Sequence, residues 1–266
     1  DSNVTLYAIF RKEAKTITIT FNKNGATSQT VSGGSASTAD TVTQKCTIEA
    51  VYNNETQASS CNVTSPTITA STNTPTVVGY NTSSSATTSS WNQNTSKAVS
   101  SNATYYAITK KDAKTITITF DKNGASSISD TSKSCTIGAT YNGTAQATSC
   151  NVTSPSITAS SNTPTVIGWS TAADNHSNQW SVNTEKSVSA NDTYYAQTSK
   201  EAVSYKASFN ENGASLSSTS ASCTIGATYN GVAQATSCNA AAPTITRSGY
   251  TIVGFNTSAS STTNNG

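Results

Sequence analysis

The stretch CTIGATYNGTAQATSC, residues 135–150, has two relatives in the chain: CTIEAVYNNETQASSC at 46–61 and CTIGATYNGVAQATSC at 223–238. Two of the three carry Asn-Gly at the centre, the strongest short signal for a two-residue hairpin turn, because both turn positions need positive φ. In such a hairpin the two cysteines lie directly opposite each other, within disulfide range. The spacing therefore predicts three hairpins, each clamped by one local disulfide: Cys46 with Cys61, Cys135 with Cys150, and Cys223 with Cys238.

The cysteines also indicate where the protein works. Six cysteines, even in number and regularly spaced, favour an oxidising compartment, and we expect an extracellular protein at the cell surface. The alternative is six free thiols in a reducing cytosol. A zinc site is disfavoured because no CxxC motif occurs and His176 is the only histidine. We therefore expect no metal and no cofactor.

Composition excludes several classes of partner. Only 11% of the residues are charged, and the net charge of +2 is spread without a Lys/Arg cluster, which argues against nucleic acid. No apolar run approaches the roughly 18 residues of a membrane span, so we expect no membrane insertion. Ser, Thr and Asn supply the polarity, as in many extracellular β-proteins.

The chain repeats itself. Cys46, Cys135 and Cys223 are 89 and 88 residues apart, and Trp91 and Trp180 are 89 apart. The predicted domains are the end of a preceding repeat (1–12), repeat 1 (13–110), repeat 2 (111–199) and a truncated repeat 3 (200–266). We therefore expect a piece of a longer protein.

Each repeat has the same order of predicted strands. An opening strand with alternating apolar residues covers 16–21, 115–120 and 205–209, and a second strand ends in Val-Gly-aromatic or Ile-Gly-aromatic. A closing strand follows at 103–108 and 192–197, after a polar segment with a short helical turn around Trp91. No stretch shows a 3.6-residue apolar stripe, so the fold class is mainly β.

Several short motifs resemble one family. GYTIVGFNT at 249–257 after PTITR at 243–247, TLYAIF at 5–10, and TITFDKNGA at 117–125 resemble internalin-type B-repeats of bacterial surface proteins. The resemblance implies tandem β-grasp-like modules, here about 89 residues each, arranged as an elongated rod that serves as a spacer or adhesive stalk. The chain departs from that pattern in its longer units and its cysteine-clamped hairpins, so no binding residue is carried over.

The resulting hypothesis is a structural, non-enzymatic stalk or fibre of a bacterial surface adhesin. Its partners would be neighbouring repeats, like chains in a fibre, or a glycan or protein of a host or cell surface. Enzymatic function is disfavoured because no acid pair recurs and His176 has no partner motif. One alternative is a self-assembling filament subunit. The other is a carbohydrate-binding module in which Trp91 and Trp180 stack on sugars, which requires both rings to be exposed rather than packed.

Overall fold

The computed structural model describes residues 3–264, and the regular structure of these residues is entirely β-strand. The mainly β fold class is therefore confirmed, and the described residues contain no helix that could cross a membrane. The helical turn predicted around Trp91 is wrong, because this residue forms an isolated antiparallel bridge with Tyr80. The β-grasp-like fold stays a prediction.

The strands are short and numerous. Up to Lys111 they are β1 (Arg11–Lys12), β2 (Lys15–Asn22), β3 (Ser28–Thr30), β4 (Ala36–Ser37), β5 (Thr41–Ile48), β6 (Val51–Tyr52), β7 (Cys61–Thr64), β8 (Thr67–Thr69), β9 (Thr76–Asn81), β10 (Ser96–Val99) and β11 (Ala103–Lys111). Those that follow, up to Lys200, are β12 (Lys114–Asp121), β13 (Ser127–Ile128), β14 (Ser132–Ile137), β15 (Thr140–Tyr141), β16 (Cys150–Thr153), β17 (Ile157–Thr158), β18 (Thr165–Ser170), β19 (Glu185–Val188) and β20 (Asp192–Lys200). The last are β21 (Val203–Ser208), β22 (Ser215–Leu216), β23 (Ser220–Ile225), β24 (Thr228–Tyr229) and β25 (Ile245–Thr246).

The chain divides into two compact units. The first runs to residue 116 and includes 136–150, and the second combines 117–135 with the residues from 151 onward. The units do not follow the repeat boundaries predicted at 13, 111 and 200. The clamped loop of repeat 2 belongs to the unit that holds repeat 1, because β15 pairs with β11.

The sheet of the first unit has the order β15-β11-β2-β5, and β9 also pairs with β11. The closing strand β11 runs parallel to the opening strand β2, with Tyr105 opposite Phe21, and antiparallel to β9. In the second unit β20 is likewise parallel to β12, with Tyr194 opposite Phe120, and antiparallel to β18 and β24. In both units a parallel pair therefore lies at the centre of the sheet.

The alternation in the opening strand determines which face is buried. Ile17, Ile19 and Phe21 are fully buried, whereas Thr16 on the opposite face is exposed. This is the period of two expected for a strand with one buried face. The Phe21 ring packs against Tyr80, with 5.0 Å between the ring centroids. In the second unit Phe120 packs against Trp169 in the same manner, at 4.7 Å. An aromatic cluster therefore occupies the core of each unit.

The predicted clamped hairpins are wrong in one respect. The turns form as predicted, with φ of 55° at Asn142 and 76° at Gly143, but the arms on either side do not pair with each other. Cys46 lies on β5, which pairs with β2, and Cys61 lies on β7, which pairs with β10. The short strands before the turns, β6, β15 and β24, pair instead with β1, β11 and β20.

We predict that Tyr80 makes the first unit sensitive to alkaline pH. Burial raises the pKa of this phenol, while its hydrogen bond from Gln29 Nε2, 3.1 Å long, acts in the opposite direction. A raised pKa in the folded state stabilises the fold below the ordinary tyrosine pKa of about 10, and this contribution is lost as the pH rises above that value. Urea unfolding between pH 8 and pH 11 should show a decline in stability that Tyr80→Phe reduces.

Tyr7→Phe is the matched control, because Tyr7 lies in the same unit and is 84% exposed. Tyr80→Phe also leaves Gln29 without its acceptor, which costs about 1–3 kcal/mol at every pH. The informative quantity is therefore the slope of stability against pH. Equal slopes for the wild type and Tyr80→Phe would contradict the prediction.

Candidate functional site

One turn recurs where consecutive sequence repeats meet. We name it the junction turn, and its three examples are Asn53-Asn54, Asn142-Gly143 and Asn230-Gly231. Both residues of each turn have positive φ, and the residues just before it pair with the last residues of the preceding closing strand. The junction turn thus connects each clamped loop to the repeat before it.

In the first unit, one backbone hydrogen bond and three between backbone and side chain hold this turn. Asn142 N donates to Thr109 O over 2.8 Å, and Thr109 N donates back to Asn142 Oδ1 over 3.3 Å. Gly143 N donates to Thr74 Oγ1 over 2.9 Å, and Asn73 Nδ2 donates to Gly143 O over 3.0 Å. The Thr74 and Thr109 hydroxyls are 2.7 Å apart, and both residues are fully buried. The hydrogen-bonding groups of the turn are therefore paired with residues of the preceding repeat.

The same network recurs in the second unit. Asn230 N donates to Thr198 O over 3.0 Å, and Thr198 N donates to Asn230 Oδ1 over 3.1 Å. Gly231 N donates to Thr163 Oγ1 over 2.9 Å, and Asn162 Nδ2 donates to Gly231 O over 3.0 Å. Near the start of the chain, Asn53 exchanges the corresponding two bonds with the backbone of Phe10. The exchange needs a residue that tolerates left-handed φ and carries a short side chain with an acceptor oxygen, and asparagine meets both requirements.

Glycine is required on both sides of the contact. A Cβ placed on Gly143 would lie 2.6 Å from the Gly25 carbonyl oxygen, and one on Gly25 would lie 2.1 Å from the Asn142 oxygen. In the second unit, a Cβ on Gly231 would lie 2.5 Å from the oxygen of Gly124. Two Asn-Gly turns thus meet backbone to backbone, one from each of two consecutive repeats.

The asparagines of these two turns share one acceptor. Asn24 Nδ2 and Asn142 Nδ2 both donate to Ser84 O over 2.9 Å, and Asn24 also reaches Ala107 O on the closing strand. The second unit repeats the arrangement at Ala173 O, which accepts from Asn123 and Asn230. The turn at the end of each opening strand therefore takes part in the junction. The sequence marked these Asn-Gly pairs only as local turns.

Disulfides close the loops that carry the junction turns. Cys46 is bonded to Cys61 and Cys223 to Cys238, each with 5.8 Å between the Cα atoms. Cys135 and Cys150 are disulfide-bonded as well, and no free cysteine occurs among residues 3–264. Cys46 and Cys61 lie on strands that pair with different neighbours, so their disulfide is the covalent link at the base of the loop.

A glutamine in each loop was missed by the sequence reasoning. Gln57 Nε2 donates to Glu49 O within the loop and to Glu13 O just after the preceding closing strand. Gln146 and Gln234 make the same two contacts, with Gly138 and Asp112 and with Gly226 and Glu201. The signal was present, since glutamine stands at the same position of all three loops.

The two candidate sugar-stacking tryptophans are packed inside. Trp91 and Trp180 are each only 4% exposed, and each indole Nε1 donates to a backbone carbonyl, of Thr95 and of Thr184, over 3.0 Å. Trp91 lies against Phe21, with the ring centroids 5.3 Å apart. Sugar stacking requires an exposed ring face, so the burial contradicts the glycan-contact hypothesis for both residues.

His176 lies on an exposed loop and has a specific neighbour. Its ring stacks on Tyr229, the residue before the third junction turn, with 3.9 Å between the centroids. Its backbone N donates to Gln197 Oε1 over 3.1 Å. Within residues 3–264 there is no group of three or more His, Cys, Asp or Glu side chains that could hold a metal ion.

We predict that Gly143→Ala weakens the junction. The new Cβ meets the Gly25 backbone, and alanine is strained at the φ of 76°, so the first unit should lose about 1–3 kcal/mol. Thermal unfolding measures the loss, and hydrogen exchange at the Thr109 amide locates it. Gly138→Ala is the matched control, because a Cβ there meets nothing within 4 Å. Unchanged protection of Thr109 in Gly143→Ala would contradict the role of the contact.

Comparison of the chain with protein-family models, with curated proteins and with solved structures finds no match.

Proposed function

We propose that this chain is a structural, non-enzymatic segment of an extracellular bacterial surface protein, in which tandem β-rich modules form an elongated stalk. The observation that carries the proposal is the junction turn, which joins each clamped loop to the closing strand of the preceding repeat. A stalk needs this kind of joint, because it stays extended only if consecutive modules are held in a fixed orientation. Three disulfides are compatible with an extracellular location.

Short connections between repeats support a stiff joint. The closing strand β11 ends at Lys111 and the next opening strand β12 begins at Lys114, so only Asp112 and Ala113 separate them. Gln146 ties the clamped loop to the Asp112 carbonyl over 2.8 Å. A linker of this length, held on one side, has little of the freedom of a flexible Gly/Ser linker. A short, held connection of this kind supports the proposal of a rod over loosely linked modules.

The absence of enzymatic function is part of the proposal. The groups that recur in the three clamped loops are turn asparagines and bridging glutamines, which hydrogen-bond to backbone groups, and disulfides, which close the loops. None is left as a free nucleophile or a general base. The buried tryptophans give no support to the carbohydrate-binding alternative.

Small-angle scattering tests the stalk. A module of about 89 residues is roughly 30 Å across, so three in a row reach about 90 Å and give a radius of gyration near 27 Å, whereas a compact globule of 266 residues has about 18 Å. We expect a value close to the larger number, extrapolated to infinite dilution to remove any self-association. A radius of gyration near 18 Å would rule the stalk out.

We predict that the disulfides act as staples of these small modules. Each closes a loop with a sequence separation of 15, worth roughly 3 kcal/mol on the chain-entropy estimate. Replacing Cys46 and Cys61 by serine should lower the unfolding free energy of the first unit by about that amount, and reduction of the wild type should do the same. The Cys223→Ser, Cys238→Ser variant is the matched control, since it leaves the first unit unchanged. A first unit of unaltered stability would contradict the role.

Surface exposure in the native cell is the remaining test. An antibody raised against the folded 266-residue chain should label intact cells, and protease added outside should remove the label. Labelling that requires permeabilised cells would contradict an extracellular stalk, while leaving the junction geometry as described.

A further inference from the structure

The junction turns of the second and third clamped loops are built on the dipeptide Asn-Gly, at Asn142-Gly143 and Asn230-Gly231. This dipeptide can modify itself without an enzyme, because a glycine has no Cβ to keep its backbone nitrogen away from the preceding carboxamide. The nitrogen loses its proton and attacks Cγ, and the side-chain nitrogen leaves as ammonia, which gives a succinimide ring. Water then opens the ring, and the asparagine becomes aspartate or isoaspartate. Overall, one water is taken up and one ammonia is released.

In the docked turn of the first unit, the groups that this reaction needs are already engaged. Gly143 N donates to Thr74 Oγ1 over 2.9 Å, so the attacking nitrogen is held in a hydrogen bond. Both ends of the Asn142 carboxamide are bonded as well: Oδ1 accepts from Thr109 N over 3.3 Å, and Nδ2 donates to Ser84 O over 2.9 Å. The carboxamide can therefore turn toward Gly143 N only after the turn has left these partners.

The second unit holds its Asn-Gly turn in the same way. Gly231 N donates to Thr163 Oγ1 over 2.9 Å, and Asn230 Oδ1 accepts from Thr198 N over 3.1 Å. Asn230 Nδ2 donates to Ala173 O over 2.8 Å. Because the two networks are made of different residues, each turn can be released by a substitution that does not touch the other.

We propose that Asn142 and Asn230 are deamidation sites that the docked junction turn protects, and that deamidation at either residue makes the release of its clamped loop permanent. The reaction proceeds from the fraction of molecules in which the loop has opened locally. Its rate at each site therefore reports how often that turn leaves its partners. The inference rests on the contacts of the junction turn and not on the proposed stalk, so the two are tested separately.

The aspartate product loses a contact of the docked turn. The Asn142 amide donates to the Ser84 carbonyl, whereas an ionised carboxylate has only acceptor oxygens. A carboxylate at this position therefore places negative charge against a carbonyl oxygen. The same change at Asn230 places a carboxylate against Ala173 O. In both units, deamidation replaces a hydrogen bond by a repulsion.

The isoaspartate product adds one carbon atom to the backbone of the turn, and the contact has no space for it. A Cβ on Gly25 would lie 2.1 Å from the Asn142 oxygen, and one on Gly143 would lie 2.6 Å from the Gly25 oxygen. In the second unit, a Cβ on Gly124 would lie 1.9 Å from the Asn230 oxygen. The lengthened turn must therefore move away from the turn that it meets.

Peptide mapping by mass spectrometry of the 266-residue protein tests the protection. The folded chain and the chain in urea are incubated at the same mildly alkaline pH, and the acid fraction at each asparagine is followed with time. We expect Asn142 to deamidate at least about 100-fold more slowly in the folded chain, because opening breaks several hydrogen bonds at once. Equal rates in the folded and unfolded chains would overturn the proposal.

A reciprocal pair of variants makes the test specific to each turn. Thr74→Val removes the acceptor of Gly143 N while keeping the shape of the side chain. It should raise the deamidation rate at Asn142 by about 5–150-fold and leave the rate at Asn230 unchanged. Thr163→Val should do the reverse, so each variant is the matched control for the other. Acceleration at both sites by one variant, or at neither site, would overturn the assignment.

A milder variant covers the case in which loss of the buried hydroxyl loosens the whole unit. Asn73→Ala removes only an exposed side chain that donates to Gly143 O, so it should raise the rate at Asn142 alone. Asn24, which also precedes a glycine, is the internal reference, because its bond to Ala107 O does not involve the clamped loop. A rate at Asn24 that rises in step with that at Asn142 would indicate unfolding of the unit and would overturn the local mechanism.

Hydrogen exchange at the Thr109 amide tests whether the release is permanent. Asn142→Asp reproduces one product of the reaction and should raise exchange at this amide by about 5-fold or more. Asn94→Asp is the matched control, because Asn94 has a similar left-handed φ of 53°, is exposed and lies outside the junction. Wild-type protein that has been aged in urea and refolded should show the same loss in its deamidated fraction. Protection of Thr109 that is equal in Asn142→Asp and the wild type would overturn the proposal.

Discussion

The exchange of two hydrogen bonds between a left-handed asparagine and a closing-strand backbone is the contact on which the docking of each clamped loop depends. Asn142 with Thr109, and Asn230 with Thr198, satisfy each other's backbone groups, and the buried threonine pairs beneath them anchor the following glycine. Buried backbone groups without partners are costly. A junction turn removed from the preceding repeat would leave several such groups unpaired at once. Each clamped loop is therefore fixed by the repeat before it as much as by its own.

This dependence explains why the stabilising devices are concentrated in the loops. The chain is only 34% hydrophobic, and each of the two units buries one small aromatic cluster, so the core alone provides limited stability. A disulfide restricts the unfolded loop, and a glutamine such as Gln57 fixes its returning arm to two carbonyls. Both devices reduce the entropy that the loop loses when its turn docks. They act where consecutive sequence repeats contact each other.

The sequence predicted local features well and their partners poorly. Alternation around Ile17 and Phe21 identified the opening strand, and Asn-Gly identified turns with positive φ, because each depends on neighbouring residues. The predicted hairpin pairing was wrong because the arms of the loops pair with other strands. In the first loop, Cys46 lies on a strand paired over its whole length with β2, and in the second loop Tyr141 pairs with β11. The tryptophans stand in polar segments of the sequence, which gave no sign of burial. Trp91 nevertheless lies in the core, where it forms a bridge with Tyr80. Pairing across long separations is decided by the tertiary structure, which no local pattern contains.

The closing strand shows why the sequence repeat is not the folding unit. The first half of β11 completes the sheet of its own repeat, through the parallel pairing of Ala103 and Tyr105 with β2, and its last residues pair with the clamped loop of the next repeat. One strand thus pairs with strands of two repeats. A cut at the predicted boundary near residue 111 would therefore separate a loop from the strand that orders it. In linear repeat proteins, stability of this kind resides in the nearest-neighbour terms. The turn of the third clamped loop shows the same dependence, since it is ordered by β20 of the preceding repeat through Thr198.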